Sequence, residues 1–464
     1  MNYEIKLVAE PNPTMFGYKS DSPMKKLTLA ILNLLFFAIF LSLFSCGDKE
    51  KDSANEATQL NALAQRYVRL GLAIGQYDKD FVDAYYGPDS LKPTTPASTA
   101  FPKETFLTEI SSLATMLNSL HVHSNDTLAS RATWMSAQLK AFERRVKLFG
   151  GDSTSFEVEC KELYGVTPPV YDSTHFKKIV QTLNDILPGK GAVNARFQKL
   201  ANRFVIPPTK LDTVIQAAIA ESRRRTEQYF ELPDSESFTL EFVTDKPWGG
   251  YNWYKGNYKS LIQINTDLDI LIDDVIDVGS HESYPGHHVY NMLLEKNLYR
   301  DKGWVEISLY PLFSPQSFIA EGSANYGIAL AFPYEEKVRF AREVLLPLAG
   351  VDTAGIERYF KALELTEQLN YVMNEVTRGL LNSTMNEAQA IYWLKSFYLM
   401  DDDKAKKSMS FIRKNRSYVI NYNYGKDLVK AYVEGKAGTS IDKQWEAFGW
   451  LLSNPVLAAN LEKK

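Results

Sequence analysis

The chain has 464 residues, 45% of them apolar and 23% charged, with a formal net charge of −4. That is an ordinary globular composition, long enough to bury a large core. The balance is slightly acidic and no basic stripe points to nucleic acid, and two cysteines are too few for a disulfide framework.

Residues 1–23 are mostly polar and include Pro11, Pro13 and Pro23. From Met24 the character changes: Lys25 and Lys26 precede an almost wholly apolar run, Leu27 to Phe44, which closes at Ser45-Cys46. A short positive region, an apolar run and a small residue are the parts of a secretory leader. The ending resembles a lipobox, in which the cysteine is lipidated and becomes the mature N-terminus. A run of this length would also suit a plain membrane anchor. The terminal cysteine and the polar stretch after it favour the lipoprotein. The expectation is a leader over 1–46 with Met24 as initiator, and an exported bacterial lipoprotein held on a membrane at Cys46, periplasmic or at the cell surface. Cys160 is then a lone exported thiol, expected to be buried.

Residues 47–56 are polar and charged and read as a flexible tether. Helical spacing begins near Ala57, where Leu60, Leu63, Ala64, Tyr67, Leu70 and Ile74 recur every three or four residues. Residues 92–102 read as a loop, and helix resumes over about 103–149 with a break at His121 to Asp126. Gly150-Gly151-Asp152 stops it, and 157–232 is helical again, broken at Pro168-Pro169, Pro188-Gly189 and Pro207-Pro208. Then the period shifts to two. Phe238, Leu240, Phe242 and Thr244 alternate with Thr239, Glu241 and Val243, and after the turn Trp248-Gly249-Gly250-Tyr251 a second strand spans Tyr258 to Asn265. Helices follow at about 267–300, 316–331, 335–347, 353–384, 386–399 and 404–413. The expected fold is mainly α: a large helical fold with a small β-sheet beside the active-site helix. Its N-terminal helical region covers 57–235, and its catalytic region covers 236–464.

Of six histidines in the chain, His281, His287 and His288 fall within eight residues, in His281-Glu282-Ser283-Tyr284-Pro285-Gly286-His287-His288. Zinc hydrolases place two imidazoles one helical turn apart, with an adjacent glutamate that polarises the metal-bound water. Here the fourth position after His281 is Pro285, which cannot bind metal. His287, six positions on, points away from the face of His281 on a regular helix. Proline opens a helix and glycine tolerates the result. A bulge absorbing two residues would return His287 to that face. His288 aligns without a bulge but lies about 10 Å along the axis. Geometry therefore favours His287 over His288 as second ligand. The third is Glu321, in the small-residue helical segment Ala320-Glu321-Gly322-Ser323-Ala324-Asn325. Asn325 and Asp277 are candidates to hydrogen-bond a ligating imidazole.

HExxPGHH followed by EGxAxY resembles bacterial domain-of-unknown-function family 885, metallopeptidases by prediction and often lipoproteins. The runs Leu72-Ala73-Ile74-Gly75-Gln76-Tyr77-Asp78 and Asp83-Ala84-Tyr85-Tyr86-Gly87-Pro88 resemble an N-terminal signature of the same group, so the likeness covers most of the mature chain. It implies a zinc-metallopeptidase-like fold with His281, His287 and Glu321 on the metal and Glu282 as general base. The family usually reads EGWALYAE. Here Ser323, Asn325 and Ile328 stand in place of the tryptophan, the leucine and the second glutamate. Ile328 leaves Glu321 as the ligand there, and the lost tryptophan implies a differently shaped pocket.

The chemistry expected is hydrolysis by a Zn2+-activated water with Glu282 as base, on a peptide or small amide. Tyr418 and Tyr422, one helical turn apart, are candidate donors to the oxyanion, with Tyr424 a further one. The strand Tyr258 to Asn265 could pair with an extended peptide at its edge. A zinc hydrolase of a non-peptide amide or ester, or a non-catalytic metal-binding lipoprotein, are the alternatives.

Overall fold

Periodic apolar residues become helix wherever a neighbour covers them. In the helix 55–75 the six positions picked out by spacing are all buried. The computed structural model describes residues 55–120, 126–246 and 248–462. The leader, Cys46 and tether residues 47–54 lie outside the described residues, as do 121–125 with His121 and His123. Ala57–Lys464 forms one compact unit, and both regions distinguished in the sequence contribute to its hydrophobic core. Cys160 is free and fully buried. No helix among the described residues is long and apolar enough to cross a membrane.

The fold is mainly helical, with five strands among the described residues: β1 (Val82–Tyr85), β2 (Ser237–Val243), β3 (Gly250–Gly256), β4 (Lys259–Asn265) and β5 (Leu309–Pro311). β2, β4 and β3 form a sheet in that order, with β4 parallel to β2 and antiparallel to β3. The sequence reading missed β3, which starts inside what reads as an aromatic glycine turn. It also misplaced the edge. β4 is the central strand, its backbone groups bonded on both sides, so an extended peptide cannot add to Tyr258–Asn265. β1 and β5 make a separate antiparallel ribbon between segments more than two hundred residues apart, beyond the reach of local pattern.

Four helices build the candidate site: Ile272–Glu282, His287–Leu294, Pro315–Ala331 and Ile420–Ala437. The helix Pro315–Ala331 starts at Ser314, whose hydroxyl accepts from the Ser317 N–H. It is buried on nearly every face. It lies backbone-to-backbone on Ile420–Ala437: a Cβ at Gly322 would sit 2.4 Å from the Gly425 carbonyl carbon. Only glycine allows that approach, and it brings Tyr418 and Tyr422 over Glu321. Ile420–Ala437 lies beyond the last helix expected from the sequence, at 404–413, because Asn421-Tyr422-Asn423-Tyr424-Gly425 is poor in helix formers and only the spacing of Tyr418 and Tyr422 hints at helix there. Packing supplies what propensity lacks. The long helix read over 353–384 is two, Ile356–Glu367 and Tyr371–Leu381.

Candidate metal centre

The expected bulge is instead a full stop and restart. The first helix ends at Glu282, the chain passes through Ser283–Gly286 with a cis Tyr284–Pro285 peptide, and a new helix begins at His287. The two ends stay close. The Gly286 N–H donates to the Ser280 carbonyl at 3.2 Å, and a Cβ at Gly286 would lie 1.8 Å from the His281 carbonyl oxygen. Glycine is needed here for space rather than for its φ. The result sets the His281 and His287 rings edge to face, 4.5 Å between centroids.

Glu321 closes the group. Its Oε2 lies 3.2 Å from His281 Nε2 and its Oε1 3.5 Å from His287 Nε2, and one donor atom from each of the three residues falls within 4.8 Å of the others. A tetrahedral ion with bonds of about 2.0–2.1 Å has ligand–ligand edges of about 3.4 Å. The three residues therefore suit such an ion.

Hydrogen bonding fixes which imidazole atom is free. Asn325 Nδ2 donates to the Tyr422 carbonyl at 3.0 Å, and a carbonyl only accepts, so Asn325 Oδ1 must be the atom facing His281 Nδ1 at 3.1 Å. His281 Nδ1 then carries a proton, and Nε2 is the ring atom that faces Glu321 Oε2. Asn325 thus does what its place one turn after Glu321 suggested. Three polar atoms at this spot, His287 Nδ1, Glu282 Oε2 and Glu321 Oε2, are buried without a hydrogen bond among the described residues, and the two carboxylate oxygens are as atoms facing an ion and its water would be.

The electrostatics ask for positive charge. Burial works against a charged His287, yet the carboxylates of Glu321, Glu282 and Asp83 push its pKa up to about 9. Burial would raise Glu321, but His287 and His281 hold it well below the usual carboxylate range. Burial raises Glu282, with the two imidazoles opposing. A buried carboxylate with an unpartnered oxygen beside the ligands is placed as a proton acceptor should be.

The remaining candidates are divided by their partners. His288 is fully buried on the far side of the break: Ser260 Oγ lies 2.8 Å from its Nδ1 and Glu236 Oε2 2.8 Å from its Nε2. Tyr284 donates to the same Glu236 oxygen at 2.7 Å, and Arg223 pairs with the other at 2.5 Å. Asp277 is taken by Lys337, which corrects its expected place beside an imidazole. Tyr418 donates to Glu321 Oε1 at 2.8 Å, so its hydroxyl serves the ligand carboxylate. Tyr422 lies over His281, 6.4 Å between centroids, and lines the cavity; among the described residues its hydroxyl has no hydrogen-bond partner. Tyr424 packs on Phe318 instead of lining the cavity.

Sequence reasoning missed the opposite wall. The site opens into a cavity of 1340 Å³ whose wall includes Asp83 of β1 and Tyr251 of β3. Asn252 Nδ2 donates to the Glu282 carbonyl at 2.7 Å. A Cβ at Gly250 would meet Glu282 Oε1 at 3.0 Å, so β3 runs directly against the glutamate. The one signal that could have found Asp83 is its run Asp83 to Pro88, singled out above by resemblance alone.

No family model matches the chain, and no curated protein matches it. Similar solved structures include a predicted lipoprotein of Colwellia psychrerythraea (TM-score 0.48, 16% identity, 77% of this chain and 68% of that one). Another is a predicted lipoprotein of unknown function from Shewanella oneidensis (TM-score 0.46, 12% identity, 78% and 72%). A third is metallocarboxypeptidase 1 of Trypanosoma cruzi (TM-score 0.29, 12% identity, 86% and 90%).

Proposed function

We propose that the chain is a zinc-dependent hydrolase that cleaves peptide bonds, a lipoprotein peptidase of the family 885 type. The observation that carries this reading is the convergence of His281 Nε2 and His287 Nε2 on the Glu321 carboxylate, with one donor atom from each residue within 4.8 Å of the others. The arrangement calls for a cation, and a buried glutamate stands next in sequence to the first ligand. His281, His287 and Glu321 would hold the ion. An all-imidazole-and-carboxylate set of three with room for a water matches catalytic zinc better than calcium or magnesium, which take more oxygen ligands. When bound, zinc supplies a water acidic near neutral pH and polarises a carbonyl.

The chain's own residues do the rest. Glu282 takes the water's proton and passes it to the leaving amine. Asn325 and Tyr418 hold His281 and Glu321 in register. The free Tyr422 hydroxyl, facing the cavity beside His281, is the donor best placed to meet a developing oxyanion. The cavity accommodates several residues of an extended peptide. A lipid anchor at Cys46 would hold this domain at a membrane, with peptides as partners.

The test is metal analysis of the purified chain together with a peptide-library digest of wild type beside Glu282→Gln. The variant should keep its zinc and lose about 10²–10⁴ in turnover. Undiminished cleavage by Glu282→Gln, or a protein without stoichiometric transition metal, would overturn the assignment.

A further inference from the structure

We infer that Asp83, set by Tyr251 in the wall of the metal-centre cavity, binds the ammonium group of a substrate, so that the enzyme takes peptides by their free amino terminus. This rests on the hydrolase reading above and adds the substrate class.

Asp83 belongs to β1, and Tyr251 of β3 donates its hydroxyl to Asp83 Oδ1. Both line the same cavity as His281, His287, Glu282 and Glu321. Asp83 is near enough to His287, Glu321 and Glu282 for their charges to act on it. Other acids of that wall have cations of their own. Asp80 pairs with Lys414 at 3.1 Å, Asp277 with Lys337 and Glu367 with Lys426. Asp83 has none among the described residues; its one donor is a phenol. Asp83 is half-buried, and a carboxylate drawn partly out of water without a cation is unfavourable unless something supplies the charge. The wall as a whole repeats the point: among the described residues it has eight carboxylates besides the Asp273 group, whose pKa is raised to about 8, against five lysines and no arginine. A divalent ion leaves that balance negative, which attracts a cationic end and repels a substrate's carboxylate.

The surroundings suit the first residue of a peptide. Tyr251 lies 4.5 Å from Trp253 and 5.4 Å from Trp248, centroid to centroid. This aromatic shelf can take an apolar side chain while its faces favour an adjacent ammonium. With the amino terminus held at Asp83, near the ligands, the bond presented for hydrolysis is one close to that terminus. Water adds across it, the C–N bond breaks, and a carboxylate and an amine leave, with no other co-reactant.

The probes are leucine hydroxamate and its N-acetyl derivative, both metal chelators, titrated calorimetrically into the zinc-loaded chain at pH 7, where most of a free α-amine is protonated. Wild type should bind the free amine at least roughly tenfold more tightly. Asp83→Asn should erase that preference while binding the acetylated probe as wild type does. Equal binding of the two by wild type, or a preference that survives in Asp83→Asn, would overturn the inference. If neither probe binds, the metal centre itself is misread, and the ammonium site goes with it. A digest by wild type alone gives a check that needs no variant. Peptides with free amino termini should be trimmed from that end, and acetylated copies should resist; equal trimming overturns the inference.

Discussion

Replacing Glu236 removes the acceptor that holds both flanks of the helix break. One oxygen of Glu236 receives the Tyr284 hydroxyl at 2.7 Å and faces His288 Nε2 at 2.8 Å. Tyr284 and His288 stand on either side of Pro285-Gly286-His287, so Glu236 ties the segment that aims His287. Burial would raise the Glu236 pKa, but His288, Tyr284 and Arg223 together bring it below the usual carboxylate range. It is therefore ionised at neutral pH, and its bonds are charge-assisted. Arg223 is not what alanine would strand: its side chain is 42% exposed and already bonds Glu227 at 2.8 Å. Tyr284 and His288 are fully buried, and each would lose its acceptor. Stranding buried partners in this way costs about 3–5 kcal/mol. Glu236→Gln can keep the carbonyl oxygen between the two donors, so it trades charged for neutral bonds and should cost about 1–2 kcal/mol. Urea unfolding measures the two losses, and chelator competition measures zinc affinity, which should fall about 10–100-fold for alanine and less for glutamine. Wild-type stability and wild-type zinc affinity in Glu236→Ala would refute the view that this network sets the ligand across the break.

Three further outcomes follow from the same geometry. Gly286→Ala puts a methyl 1.8 Å from the His281 carbonyl oxygen, so the helix ends must separate. The purified variant should lose zinc, with a stability penalty of about 1–3 kcal/mol or more, and stoichiometric tight zinc in it would contradict the steric argument. Asn325→Leu leaves His281 Nδ1 without its acceptor and should weaken zinc about 10–100-fold. Asn325→Asp, which keeps an oxygen there, should recover most of that; equal losses in both would point to packing instead. Asp273 is buried beside Asp274 and Asp277, and burial followed by those charges raises its pKa well above the usual range. A raised acid pKa means the native state holds the proton longer than the unfolded chain, so stability declines as pH climbs above the ordinary carboxylate range. Asp273→Asn keeps an acceptor for the Tyr359 hydroxyl, 2.6 Å away in the wild type, and should gain more stability over wild type at pH 8 than at pH 5 in parallel melts.

Local pattern carried much of the site. Residue type and spacing pointed to His281, Glu282, His287 and Glu321, because those properties belong to one stretch of chain. Gly286 read as tolerating an opened helix, and the segment around Glu321 as rich in small residues; both Gly286 and Gly322 meet backbone. Partnership could not be read this way. Asp277 looked as apt for an imidazole as Asn325 did, yet Lys337, sixty residues on, claims it. His288 was a rival to His287 until Glu236 and Ser260 enclosed it. Tyr418 and Tyr422 were equivalent by spacing, and only the packing of Gly322 on Gly425 gave one of them to Glu321 and left the other facing the cavity. β4 read as an available edge and is the middle strand. Asp83, nearly two hundred residues before His281, entered the cavity only through the pairing of β1 with β5. The sequence by itself determined which side chains could bind a metal and which faces would be buried, because periodicity and residue chemistry are local. Only the tertiary structure decided which donor meets which acceptor, because a hydrogen bond or ion pair depends on a second segment that no local period encodes.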